Sequence, residues 1–116
     1  MNGNVDVATE EGACCESVGT VDTEALAADV ELLSAMGNDT RYELLRRIDG
    51  ADRKVCVCDL EAAVGVSQSA VSQALSRLYT AGLVTRQKDG NWRYYGVTDE
   101  AEQLLATLEA IRGGRR

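Results

Sequence analysis

The chain of 116 residues contains no histidine. That absence removes the commonest nitrogen ligand for zinc, nickel and copper, together with the usual general base, and leaves thiolate and carboxylate as the available metal-binding chemistry. No apolar run approaches the roughly 20 residues that span a bilayer, and no lysine or arginine precedes Arg41. Neither a membrane helix nor a secretory signal is expected, and the cytoplasm is the expected location. There is no C-x-x-C, no phosphate-cradling glycine loop and no second domain to form a cleft, which argues against an enzyme such as a thiol oxidoreductase. Internal repeats are absent as well. In a reducing compartment the four cysteines, Cys14, Cys15, Cys56 and Cys58, read as free thiols, metal ligands or redox sensors and not as a disulfide framework.

A net charge of −7, taken alone, argues against a nucleic-acid partner, because phosphate binding rests on lysine and arginine. The distribution of that charge points the other way. Residues 1–40 hold acids and no base, and residues 41–66 are balanced, whereas residues 67–96 carry Arg77, Arg86, Lys88 and Arg93 against Asp89 alone. The excess of acids fits a high-salt cytoplasm and an ordinary acidic protein equally well.

Residues 1–20, rich in Gly, Asp, Glu, Thr and Val without a sustained period, read as a flexible acidic tail carrying Cys14-Cys15. Residues 21–112 read as one folded domain and 113–116 as a short C-terminal tail. From Asp22 or Thr23, Leu26, Val30, Leu33 and Met36 recur at helical spacing until Gly37. Asn38-Asp39 caps a second helix, with Tyr42, Leu44, Leu45 and Ile48, that ends at Asp49-Gly50. Cys58 to Val64 predicts a short third helix stopped by Gly65. Ser67 caps a fourth, whose Val71, Leu75 and Leu78 face inward. Asp89-Gly90 between Leu83–Gln87 and Trp92–Val97 is a hairpin signal. A last helix, capped by Thr98, aligns Ala101, Leu104, Leu105, Leu108 and Ile111. The order α-α-α-α-β-β-α is that of a winged helix-turn-helix, mainly α with a β-hairpin wing.

Val55-Cys56-Val57-Cys58 stands directly ahead of that helix pair, so a soft-metal trap adjoins a DNA reader. As(III) and Sb(III) favour about three thiolates, and Cd(II), Pb(II) and Zn(II) take three or four sulfur-rich ligands. The tail can reach up to about 20 Å from Val21 at roughly 3.3 Å per residue, so Cys14 or Cys15 can supply what Cys56 and Cys58 lack. Residues two apart on a regular helix point about 200° apart, so one ion holding both is expected to deform the helix start. Binding to thiolate is expected to fade toward acid. The competing readings are a small buried hydrophobe for each cysteine, an incidental pair at Cys14-Cys15, and oxidation sensing through a sulfenic acid and a disulfide. On the reader, Ser67, Gln68, Ser69, Ser72 and Gln73 are placed to reach bases, with Arg77 for phosphate or guanine. On the wing, Lys88, Asn91 and Arg93 are placed for phosphate or the minor groove. Trp92, Tyr94 and Tyr95 read as wing packing in preference to base stacking.

Over roughly residues 22–112 the chain resembles the ArsR/SmtB family of metal-responsive repressors. The resemblance rests on Gly37-Asn38-Asp39-Thr40-Arg41, Val55-Cys56-Val57-Cys58-Asp59-Leu60, the Ser67-x-Ser69-x-Val71-Ser72-x-x-Leu75-x-x-Leu78 helix, Ala81-Gly82-Leu83-Val84 and Gly90-x-Trp92-x-Tyr94-Tyr95. It implies a homodimer joined through the first and last helices, double-stranded operator DNA as partner, and release of the operator when an inducer binds. It places Cys56 and Cys58 at the family's thiolate positions. As(III)/Sb(III), or Cd(II)/Pb(II), are the implied inducers, with no permanent cofactor. Leu60 stands where one type of arsenite sensor has a third cysteine. Cadmium and lead sensors of the family recruit cysteines from the N-terminal region, which makes Cys14 and Cys15 the natural additional ligands. The lack of histidine rules out the zinc site that other members carry on the last helix.

Overall fold

A computed structural model describes residues 17–114. Helix α1, Thr23–Met36, starts where the Asp22 carboxylate accepts hydrogen bonds from the Glu24 and Ala25 amides. Helix α2, Asp39–Asp49, is capped in the same way by Asn38, whose side chain accepts from the Arg41 amide. A two-residue strand, β1 (Val55–Cys56), precedes helix α3 (Val57–Val64) and helix α4 (Gln68–Thr80). Strands β2 (Val84–Asp89) and β3 (Trp92–Val97) form the hairpin, and helix α5, Asp99–Gly113, closes the chain. The fold is a winged helix-turn-helix.

The expected element order holds, with β1 added. Its pairing with β3 is antiparallel, Val55 opposite Tyr95 and Cys56 opposite Tyr94, so the wing belongs to a three-stranded sheet ordered β1-β3-β2. Two residues are too few for a period-two pattern to show in sequence, which is why the strand is invisible there.

The core lies where α2, α4, α5 and the base of the hairpin meet. Leu44, Leu45, Val71, Leu75, Leu78, Leu83 and Leu105 are fully buried. Each follows from helical or strand spacing, and each buried Leu contributes about 1.5–3 kcal/mol of apolar burial. Gly65 ends α3 at φ +76°, a left-handed conformation that turns the chain into α4 at no side-chain cost. Thr98 joins the hairpin to α5: its hydroxyl accepts from the Ala101 amide and lies 2.9 Å from the Gly82 carbonyl, to which it donates.

Helix α1 gives little of its apolar stripe to the core. Only Ala35 and Met36 are buried on it, and Leu26, Val30 and Leu33 stand 50–63% exposed. At the other end of the chain, Ala101 and Leu105 are buried while Leu108 and Ile111 remain open. Helices α1 and α5 therefore present apolar surface that no other described residue covers.

Candidate thiol site and nucleic-acid interface

Cys56 is the last residue of β1 and also the N-cap of α3. Its backbone is extended (φ −76°, ψ 145°), and its Sγ accepts the Cys58 amide hydrogen bond at 3.4 Å. The two sulfurs lie 2.7 Å apart. This corrects the helical-spacing expectation: a pair within a helix diverges by about 200°, but Cys56 stands outside the helix, so its side chain folds over the first turn and meets Cys58. The two sulfurs converge at the start of α3.

The two thiols differ in environment. Cys56 is buried under the sheet, and Cys58 is exposed beside Asp59, whose carboxylate lies 3.5 Å from the Arg53 guanidinium. The hydrogen bond with Cys56 chiefly, then burial and the negative charges of Cys56 and Asp59, push the Cys58 thiol up from its ordinary pKa. Among the described residues no group of three or more His, Cys, Asp or Glu side chains is placed to hold a metal ion. Two converging sulfurs fit two positions in the coordination sphere of a thiophilic ion and leave it at least one ligand short. Cys14 and Cys15 lie outside the described residues.

The reader helix α4 exposes Gln68, Ser69, Ser72 and Gln73 along its first two turns, an uncharged hydrogen-bonding surface. Ser67 uses its hydroxyl to cap the helix, accepting from the Ala70 amide at 3.1 Å. Gln73 Nε2 lies 3.5 Å from Ser69 Oγ. Arg77, in the last turn, is paired with Glu31 of α1 at 2.8 Å. On the wing, Lys88 and Arg93 are cross-strand partners and Asn91 is exposed in the turn.

Trp92 does not pack into the wing. It is 53% exposed beside the turn, whereas Tyr95 is buried and Tyr94 half-buried as expected. A groove separates the reader from the wing, with Gln68, Ser72 and Ser76 on one wall and Arg86, Asn91, Trp92 and Arg93 on the other. Arg86 was missed as a site residue. It lies opposite Tyr95 in the hairpin register, two residues from Lys88, and its guanidinium sits 4.0 Å over the Tyr79 ring. Period-two alternation along β2 puts Arg86 and Lys88 on one face and was the signal that could have found it.

The geometry agrees with comparisons to known proteins. The family model for the bacterial regulatory proteins of the arsR family matches residues 38–86. A Halobacterium salinarum protein provisionally named arsenical resistance operon repressor ArsR2 is 71% identical over 101 residues, 87% of this chain and 85% of that one. A second protein of that organism, provisionally named arsenical resistance operon repressor ArsR, is 48% identical over 88 residues, 76% of this chain and 68% of that one. Among solved structures, NolR from Sinorhizobium fredii is similar with a TM-score of 0.73 and 31% identity, covering 85% of this chain and 98% of that one. No helix among the described residues is long and apolar enough to cross a membrane. The chain belongs to the ArsR family of bacterial regulatory proteins and is a winged helix-turn-helix transcriptional repressor, not an enzyme.

Proposed function

We propose that the protein binds operator DNA in the cytoplasm as a homodimer, represses resistance genes, and lets go when a thiophilic metal or metalloid binds the thiolates of Cys56 and Cys58. As(III) or Sb(III) is the first inducer, which the names of the two Halobacterium relatives support, and Cd(II) or Pb(II) the second. The observation that carries the reading is the 2.7 Å approach of two sulfurs at the start of the first helix of the helix-turn-helix. Cys14 or Cys15 supplies the missing ligand, from the same protomer or its partner. The exposed apolar residues of α1 and α5, Leu26, Val30, Leu33, Leu108 and Ile111, support a dimer seam.

The switch follows from the double duty of the Cys56 sulfur. An ion held by both thiolates takes the sulfur that accepts the Cys58 amide and so draws Cys56 off its capping position. That movement shifts α3 against α4 and the base of the wing. A coupling free energy of ~1–3 kcal/mol is typical of such switches, and operator DNA weakens inducer binding by the same factor. Ser67, Gln68, Ser69, Ser72 and Gln73 face the bases, and Lys88, Asn91 and Arg93 of the wing, joined by Arg86, meet the phosphates.

The test is operator release followed by fluorescence anisotropy, titrating As(III), Sb(III), Cd(II), Pb(II) and peroxide. Wild type, Cys56→Ser, Cys58→Ser and the Cys14→Ser/Cys15→Ser double variant are compared. Release by a metalloid that either single serine variant abolishes, with DNA binding intact, is expected; persistence of the wild-type complex at saturating inducer sinks the reading. Loss of release in the double variant brings the tail cysteines into the site. The same sulfur contact favours one other reading, oxidation of Cys56 and Cys58 to a disulfide with peroxide reduced to water. Release by peroxide and by none of the metals selects it.

A further inference from the structure

Arg77 is the only cation on the reader helix, and it does not stand free. Its guanidinium lies 2.8 Å from the Glu31 carboxylate, with the two side chains 32% and 49% exposed. It also occupies the last turn of α4, whereas reader helices of this kind present their N-terminal residues to the base edges. Glu31 sits in the middle of α1, next to Val30 and two residues before Leu33 on the exposed apolar face. The end of α1 is held by Ala35, Met36 and the Arg41 side chain and its middle by Leu32 against the core, with a cleft lined by Ala28, Glu31, Leu32, Thr80 and Glu100 beside it. Among the described residues the Glu31–Arg77 pair is the one ion pair that joins α1 to the rest of the protein.

We propose that Glu31 and Arg77 form a strut that fixes the seam helix α1 to the reader helix α4, so that Arg77 is a positioning residue and not a DNA contact. The inference rests on the dimeric, operator-binding reading above. In a dimer that spans two half-sites one helical turn of DNA apart, the separation of the two reader helices is set by the path from each reader through α1 to the seam. The strut lies on that path. The reader then approaches DNA with no charge of its own, and electrostatic attraction comes from Arg86, Lys88 and Arg93 on the wing.

Charge removal and charge reversal test this; each single variant shifts the net charge by one, and the swap leaves it unchanged. Three variants are compared with wild type: Glu31→Gln, Arg77→Gln and the swap Glu31→Arg/Arg77→Glu. The readouts are amide hydrogen exchange of α1 in the free protein, the salt dependence of operator binding, and preference for the natural operator over one lengthened by a base pair between half-sites. Each single variant is expected to speed exchange along α1 and to relax the spacing preference. Operator affinity should fall no more than roughly fivefold, the scale of a partly exposed ion pair. The swap should restore both readouts, and the salt slope of Arg77→Gln should equal that of wild type. The proposal is overturned if α1 exchange ignores both single variants. It is equally overturned if the slope for Arg77→Gln drops by about 0.9, the mark of one lost phosphate contact, and the swap binds worse than either single variant. Exchange in the free protein reports on the strut by itself, so a wild type that binds no operator counts against the dimeric reading and leaves the strut to its own readout.

Discussion

Changing the pH by one unit should separate the two classes of inducer that Cys56 and Cys58 can hold. A divalent cation that replaces a thiol proton sends that proton to solvent. Arsenous acid reacts differently: each thiol proton leaves as water with a hydroxide from arsenic, so the sum releases no proton. An ordinary thiol is protonated at neutral pH, and Cys58 is held in that form further up the scale, by its hydrogen bond with Cys56 first and then by burial and the charges of Cys56 and Asp59. The sign is therefore fixed. Cation affinity rises with pH until the thiol deprotonates, and the raised Cys58 thiol extends that rise upward. A protonated thiol ligand adds a factor of about ten per pH unit, so Cys58 gives ~10-fold. The assay is the midpoint of operator release by anisotropy at constant ionic strength, with Cd(II) and As(III) in parallel. Because the chain has no histidine, no imidazole titrates in the same window to confuse the baseline. The Cd(II) midpoint should fall steeply with rising pH while the As(III) midpoint stays flat. A Cd(II) midpoint indifferent to pH would refute Cys58 as a thiol ligand, and an As(III) midpoint as steep as that of Cd(II) would refute the proton balance.

Three further outcomes follow from particular contacts. Leu33→Glu places a charge on the exposed face of α1 and should yield monomers in sedimentation velocity with operator affinity lost; a variant that stays dimeric moves the seam elsewhere. Arg41 donates to the Ala35 carbonyl at 2.7 Å and to the Ser34 carbonyl at 3.1 Å, closing the C-terminal end of α1. Arg41→Ala should cost about 1–2 kcal/mol in urea unfolding, and an unchanged midpoint contradicts that role. Gly65→Ala finds open space around its added methyl but a φ of +76°, so it should cost about 1 kcal/mol, seen as a lower thermal midpoint without loss of the metal response.

Four of the five helix starts were legible because those helices advertise them, whereas α3, expected from Cys58, begins at Val57 with Cys56 as its cap. Asp22, Asn38, Ser67 and Thr98 are caps whose side-chain oxygens accept the amides two or three residues on, and such short-range chemistry is written in neighbouring residues. The inward face of α4 was legible for the same reason, since Val71, Leu75 and Leu78 repeat at helical spacing. What escaped was set by partners distant in the chain. Glu31 and Arg77 lie 46 positions apart, and nothing near either residue marks the other. Trp92 was expected to pack because tryptophan is large and apolar, but as the first residue of β3 it faces Asp89 across the turn and stays mostly exposed. The stripe on α1 was correct as a pattern and incomplete as an assignment, because periodicity gives a face and leaves open whether the chain itself covers that face.

The consequence for the switch turns on Cys56, which the sequence presented as one of two equivalent thiols. In the fold it belongs to three structures at once. Its backbone pairs with Tyr94 of β3, so it is part of the wing sheet. Its sulfur accepts the Cys58 amide, so it starts the first helix of the helix-turn-helix. Its sulfur also faces Cys58, so it is half of the thiol pair. Wing and reader are the two elements that flank the groove lined by Gln68, Ser72, Arg86 and Arg93, and they meet at this residue. A ligand that draws Cys56 toward itself therefore acts on both without any long route through the core, and the buried position of Cys56 means that it cannot yield without moving backbone. Cys58, exposed on the first turn of α3, has no such leverage. Under the proposed release, Cys58 captures the inducer and Cys56 transmits it, so a ligand restored at Cys58 alone should bind metal and leave the operator occupied.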